Sequence, residues 1–145
     1  MVITSKDNET IKNIRKLKDK KYRDTSGKYI IEGIKIIEEA ITEKADIDTI
    51  VVCDDCIKAG EINQKILYEI AKYNCIYVDK KVFITITDVQ NPQGILAVIK
   101  KENTNKEIKY NEDVIVILDG IQDPGNLGTI LRTIDSTRAF PSYNI

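Results

Sequence analysis

Residues 118–136 read LDGIQDPGNLGTILRTIDS and continue an apolar run, VIVIL, at residues 114–118. The run has no polar alternation and is rich in β-branched residues, the pattern of a fully buried strand. Asp-Pro-Gly and Asn-Leu-Gly then break it. Beyond them Leu127, Ile130, Leu131 and Ile134 fall on one side of a helix drawn at about 100° per residue. Strand, glycine loop and helix is the layout of a phosphate cradle, so nucleotide binding is the first reading to test. Gly120 and Gly125 have the separation of a Walker loop, but Asn126 and Leu127 stand where its Lys and Ser/Thr belong. No G-x-G-x-x-G occurs either. An NTPase or a dinucleotide enzyme is therefore excluded on its own chemistry.

The opposite side of the helix carries Gly125, Gly128, Arg132 and Asp135, with Thr129 and Ser136 beside them. Gly128 lies one turn before Arg132 and bares the backbone to a ligand. Asn126 is expected at the N-cap, free to hold orphan N–H groups or to reach a ligand. Arg132 brings a permanent charge and a planar fork suited to phosphate oxygens. The plainer alternative is a solvated helix in which Arg132 pairs with Asp135.

Upstream, strands alternate with helices. A helix capped by Asn8 or Ser5 runs through Ile11, Ile14 and Leu17, and DTSG at 24–27 reads as a turn. KYIIE (28–32), IDTIVVC (47–53), CIYVD (75–79) and GILAVIK (94–100) read as strands, the last entered through an Asn-Pro-Gln-Gly turn. Helices are expected from Ile34 to about Lys44 and over 60–73. This alternation predicts an α/β domain with a mostly parallel sheet over residues 1–100. KENTNKEIKYN is polar and aperiodic, so 101–112 is expected to be a linker and 113–145 the start of a second domain.

The chain of 145 residues has a net charge of -1, yet residues 6–28 carry nine bases against four acids. That local excess points to a polyanion-binding face made of Lys12, Arg15, Lys16, Lys20, Lys21 and Arg23. Tyr22 and Tyr29 stand at its end, where an aromatic ring can stack on an unpaired base. A solvated helix face is the competing reading. No histidine is present, which removes the commonest general base and metal ligand. Three cysteines argue for a reducing cytoplasm rather than a disulfide frame. No apolar run is long enough to span a bilayer, and the start MVITSKDNET has no signal-peptide pattern. Cys53-Asp-Asp-Cys56 lacks the second pair a zinc site wants, and its aspartates oppose thiolate formation, so buried cysteines and no metal are expected. The adjacent acids Glu38-Glu39 and Asp54-Asp55 point in different directions and read as solvated rather than as a catalytic dyad.

LDGIQDPGNLGTILRT closely resembles the first signature motif of the SpoU (TrmH-type) RNA 2′-O-ribose methyltransferases of the knotted SPOUT class. ITSKDNETIKNIRKLKDKKYRDTSGKYIIEG and PQGILAVIK are similar to the opening and the final strand of that family's substrate-binding domain. The resemblance covers residues 1 to about 136. It implies a three-layer α/β/α RNA-binding domain of ribosomal-protein type, then the first strand, loop and helix of the catalytic domain. It also implies ribosomal or transfer RNA as substrate, S-adenosylmethionine as methyl donor and a homodimer for the full-length family. By position the catalytic residues are Asn126 and Arg132, the arginine engaging an RNA phosphate and helping to activate the ribose 2′-hydroxyl. A fixed cation beside a developing alkoxide suits a protein without histidine.

Family members continue for roughly a hundred residues more, about another small domain. That length holds the motifs for the knot, the cofactor pocket and the dimer interface. This sequence instead runs through TRAFPSYNI, where Pro141 does not suit a central strand. The chain is therefore expected to be a truncated or frame-disrupted product that binds no S-adenosylmethionine and is inactive alone. A stand-alone RNA-binding module is the alternative from another functional class.

Overall fold

A computed structural model of the chain describes residues 2–101 and 116–136. It divides into two compact units, Met1–Glu102 and Asn103–Ile145, each described by itself.

The first unit is built on a five-stranded sheet of β1 (Val2–Ile3), β2 (Lys28–Glu32), β3 (Ile47–Cys53), β4 (Cys75–Val78) and β5 (Ile95–Lys100), in the order β1-β4-β3-β5-β2. Its helices are α1 (Glu9–Lys16), α2 (Lys20–Ser26), α3 (Ile34–Thr42), α4 (Asp54–Lys58), α5 (Gln64–Ile70) and α6 (Lys80–Ile86). On β3 the five residues Thr49–Cys53 are all buried, and on β5 so are Ile95–Ile99. Side chains alternate across a strand, so consecutive burial means that both faces of the sheet are covered. This is the expected three-layer α/β/α arrangement.

The sheet is mixed, not mostly parallel. β3 pairs in parallel with β4, and β4 with β1, but β5 runs antiparallel to both β3 and β2. Alternation of strands and helices along the chain does not reveal that the last strand returns to an interior position of the sheet. There β5 separates β2 from β3, two strands that follow one another in sequence.

Local signals explain most elements. Asn8 caps α1 by accepting from Thr10 N (3.0 Å) and Ile11 N (3.4 Å), and Ile11, Ile14 and Leu17 face the core. Asn63 caps α5 through Ile66 N (2.9 Å), which shortens the helix expected over 60–73. Asp79 accepts from Val82 N (2.7 Å) and opens α6. KKVFITI there has the composition of a strand, yet Val82, Phe83 and Ile86 lie buried along one helical side. The DTSG turn proves to be the end of α2, which Gly27 terminates at φ 63. Helix α2 buries no residue, so no apolar period announces it.

In the second unit α7 spans Pro124–Ser136. Residues 114 and 115 of the expected strand lie outside the described residues. Val116, Ile117 and Leu118 are exposed and form no strand. A buried strand needs neighbours on both edges, and no described residue supplies one. The expected 101–112 linker is described only at Lys101.

Candidate nucleic-acid interface

The six basic residues expected to meet RNA are not equivalent. Two are structural anchors. Arg23 Nη1 donates to Leu17 O (2.9 Å) and Lys18 O (2.7 Å), closing the carbonyl end of α1. Arg15 Nη2 donates to Lys6 O and Thr85 Oγ1, both at 3.1 Å, and ties α1 to α6. Arg15 Nε is buried and has no partner among the described residues. Lys12 faces Glu9 at 3.4 Å and Asp7 at 3.9 Å. Lys16, Lys20 and Lys21 are exposed and form no ion pair among the described residues.

The acids of the segment are already engaged. Asp7 and Glu9 face Lys12, and Asp19 caps α2 through Tyr22 N (3.2 Å). Asp24 accepts from Lys101 Nζ at 3.0 Å, and that bond holds its carboxyl below the usual range. The lysine outside the segment therefore pairs with an acid within it, with Lys20 a lesser influence on the same carboxyl, and residues 16–21 keep four lysines against the single acid Asp19.

Lys16 Nζ also lies 5.7 Å from the centroid of the Tyr22 ring. Tyr22 packs against the core and lines an open groove of about 270 Å³ between α1, α2 and the sheet. Tyr29 does not share it. Strand alternation sends Tyr29 to the opposite face of β2 from Lys28, which does line the groove. Asp48 and Asn13 line it too, and sequence reasoning singled out neither. Asp48 sits where the β3–β5 register shifts between Ile47 and Thr49, and a bulge leaves no mark in composition.

The loop before α7 corrects one expectation. Asp123, not Asn126, caps the helix: its Oδ1 accepts from Asn126 N at 2.9 Å, with Pro124 at the first helical position. The Asp-Pro pair at 123–124 is the sequence signal for this cap. The Asn126 side chain is thereby released from capping and stands exposed within the first turn. Arg132 Nη2 donates to Thr129 Oγ1 at 3.3 Å. A Cβ on Gly128 would meet Arg132 Nη1 at 3.3 Å, so the guanidinium itself lies across the glycine. The Asp135 side chain lies outside the described residues.

Elsewhere, Cys53 and Cys56 are buried, and burial first, then Cys53 and Glu61, pushes the Cys56 thiol up to about 12. Among the described residues no cluster of His, Cys, Asp and Glu could hold a metal. Three of the neighbouring acids have partners, while Glu39 is exposed as expected of a solvated acid. Asp54 pairs with Lys58 (2.6 Å), Asp55 Oδ2 accepts from Lys80 N (2.6 Å), and Glu38 faces Lys65 (3.8 Å). No described helix is long and apolar enough to cross a membrane.

The profile of the MRM3-like substrate binding domain matches residues 8–97, which is most of the first unit. The chain belongs to the MRM3-like substrate-binding-domain family of SpoU/TrmH RNA methyltransferases. It is 30% identical over 134 residues to the 23S rRNA (guanosine(2553)-2′-O)-methyltransferase RlmP of Bacillus subtilis, covering 92% of this chain and 50% of that protein. Such coverage leaves about a dozen residues outside, so the similarity runs across Asn126 and Arg132. The mitochondrial rRNA methyltransferase 3 of Xenopus tropicalis is 31% identical over 122 residues, with 79% of this chain and 28% of that protein covered. The fold superposes on an RNA 2′-O ribose methyltransferase crystal structure with a TM-score of 0.71 at 28% identity, covering 95% and 53% of the two chains. An AdoMet-bound rRNA methyltransferase from Sinorhizobium meliloti gives 0.62 at 27%, covering 94% and 51%. The MRM3-like chain thus spans about half the length, or less, of these relatives.

Proposed function

We propose that residues 1–100 are the RNA-grip of an RNA 2′-O-ribose methyltransferase and that 113–145 begin its catalytic domain. Ribosomal RNA is the substrate class, since the relatives named above act on it. The observation that carries this reading is the cation group Lys16, Lys20 and Lys21, exposed and outside any ion pair among the described residues, on a domain of this family. Lys12 contributes at its edge, while Arg15 and Arg23 hold the cluster's framework. In the complete protein, a homodimer on this reading, Arg132 is the catalytic cation and Asn126, in the first turn of the same helix, a polar contact. The guanidinium lifts from Gly128 to engage an RNA phosphate, and its charge favours the alkoxide that forms as the ribose hydroxyl loses its proton.

S-adenosylmethionine supplies the methyl group in the full-length family on this reading. The residues described here do not fit it by themselves. Every residue from 116 to 127 is exposed, so this segment offers no enclosed wall for an adenine or a sulfonium. That same exposure favours a second reading of the chain taken alone, an RNA-binding module without catalysis.

Two titrations of the 145-residue chain test the proposal. Structured ribosomal RNA should bind with an affinity that falls steeply with salt, while S-adenosylmethionine should give no binding heat. Absence of RNA binding at low salt would refute the RNA-grip, and specific cofactor heat would refute the reading of residues 116–127. Methyl transfer by the complete protein decides between enzyme and module.

A further inference from the structure

We infer that the groove beside Tyr22 is a base-binding site. It receives one unpaired RNA base, stacked on the Tyr22 ring, while the flanking phosphates lie against Lys16 and Lys21. This rests on the RNA reading above and adds to it a position, a contact and a preference for unpaired over paired RNA.

The chain builds the groove from a short strap. Only Lys18 and Asp19 separate the C-cap of α1 at Leu17 from the start of α2 at Lys20. Helix α2 buries no residue, so it bridges the edge of the sheet without filling the space beneath it. Leu17 and Val98 give that space an apolar floor. Its size, about 270 Å³, falls just below the roughly 300 Å³ at which pockets for small-molecule ligands begin. One ring system fits there, and a whole cofactor does not.

The rim is polar in a way that suits a base. Asp48, set out of the ladder by the register shift, is held by Lys28 Nζ at 2.9 Å and faces Lys100 at 3.8 Å. Its charge is offset, so it does not repel a phosphate, yet its oxygens remain acceptors for the N–H groups of a base edge. The Tyr22 hydroxyl makes no hydrogen bond among the described residues, and the ring already holds the Lys16 ammonium 5.7 Å from its centroid. A base sliding onto the ring releases that ammonium to the phosphate that arrives with it. Lys21 immediately precedes Tyr22 and adds charge beside the mouth, whereas Lys20, two residues before Tyr22 and about 200° round α2, lies on the side of Asp24. An apolar floor, an aromatic face, a polar rim and cations at the mouth together match the way single-stranded nucleotides are recognised.

The test uses the whole chain and two probes: an RNA hairpin with 2-aminopurine in its unpaired loop, and the same strand annealed to its complement. The hairpin should bind more tightly, and its 2-aminopurine fluorescence should be quenched by the wild-type protein. Tyr22→Phe should keep both effects. Tyr22→Leu, which keeps the groove filled, should lose the quench and bind the hairpin roughly tenfold more weakly, with duplex affinity unchanged. Equal binding of hairpin and duplex without a quench would overturn the base site and leave the RNA-grip standing. Failure of the wild type to bind either probe at low salt would overturn both. The quench on the wild-type protein needs no variant, so instability of the leucine protein cannot mask the answer.

Discussion

Replacing Lys16, Lys20 and Lys21 together with alanine separates charge that serves a ligand from charge that serves the fold. None of the three forms an ion pair among the described residues, and the nearby acids are engaged by Lys12, Lys101 or a helix cap. Each cation is therefore free to neutralise one phosphate. Each phosphate neutralised adds about 0.7 to 0.9 to the slope of log affinity against log salt. Three lysines then account for a slope of roughly 2 to 3. Over a fourfold rise in salt the wild-type protein should lose roughly twenty- to fortyfold more affinity for RNA than the triple variant does. Stability should hardly change, because no described contact of these lysines ties elements together beyond the Lys16–Tyr22 approach. Arg15→Ala and Arg23→Ala should behave oppositely. Their guanidinium groups bridge Lys6 O to Thr85 and close the end of α1, and hydrogen bonds from a charged group contribute about 1.5 to 3 kcal/mol. Since both side chains are partly exposed, the lower end of that range is expected, with little change in salt slope. Fluorescence anisotropy at stepped salt and urea unfolding measure the two quantities. A triple variant with the wild-type slope, or an arginine variant that flattens the slope at unchanged stability, would refute this division.

Gly94→Ala should cost about 2 to 5 kcal/mol in urea unfolding, the sum of a left-handed alanine and an overpacked core. The new Cβ would stand 2.6 Å from Cys56 Cβ at φ +75, whereas Gly27→Ala, at φ +63 with nothing within 4 Å, should cost only the first part; equal losses would sink the steric account. Burial holds the Cys56 proton to about 12 while the unfolded chain releases it near 9.0. In that window the folded state binds more protons, so stability should fall with rising pH, by up to about 1.4 kcal/mol per pH unit, relative to Cys56→Ala. Parallel pH curves for the two proteins would show that the thiol is not the cause. If the proposed function holds, Arg132→Ala in the full-length protein should lower methyl-transfer turnover by roughly a hundred- to thousandfold with little change in RNA affinity. Comparable losses in both would make Arg132 a binding residue instead.

What the sequence made legible follows from what each feature depends on. Strands β2 to β5 were readable as short β-branched runs between turn signals, and β3 and β5, buried on both faces, show this most plainly. Helices α1 and α5 were readable from Ile11, Ile14 and Leu17 and from Ile62, Ile66 and Ile70, which repeat at helical spacing and all end in the core. Helix α6 was hidden by its β-branched composition, and α2 by the lack of any buried residue to set a period. The insertion of β5 between β3 and β2 depends on pairing between distant segments, which local patterning does not encode. The same distinction runs through the candidate site. Counting bases located the positive segment, but the division of its six cations depends on partners far along the chain: Thr85 for Arg15 and, indirectly, Lys101 for the charge balance at Asp24. Residues that close a helix end look, in sequence, like residues that await a phosphate. Arginine is prone to this ambiguity because its five donors serve backbone carbonyls as well as they serve a ligand. Lysines 16, 20 and 21 escape it because they form no ion pair among the described residues, and that is a property of three-dimensional placement rather than of residue type.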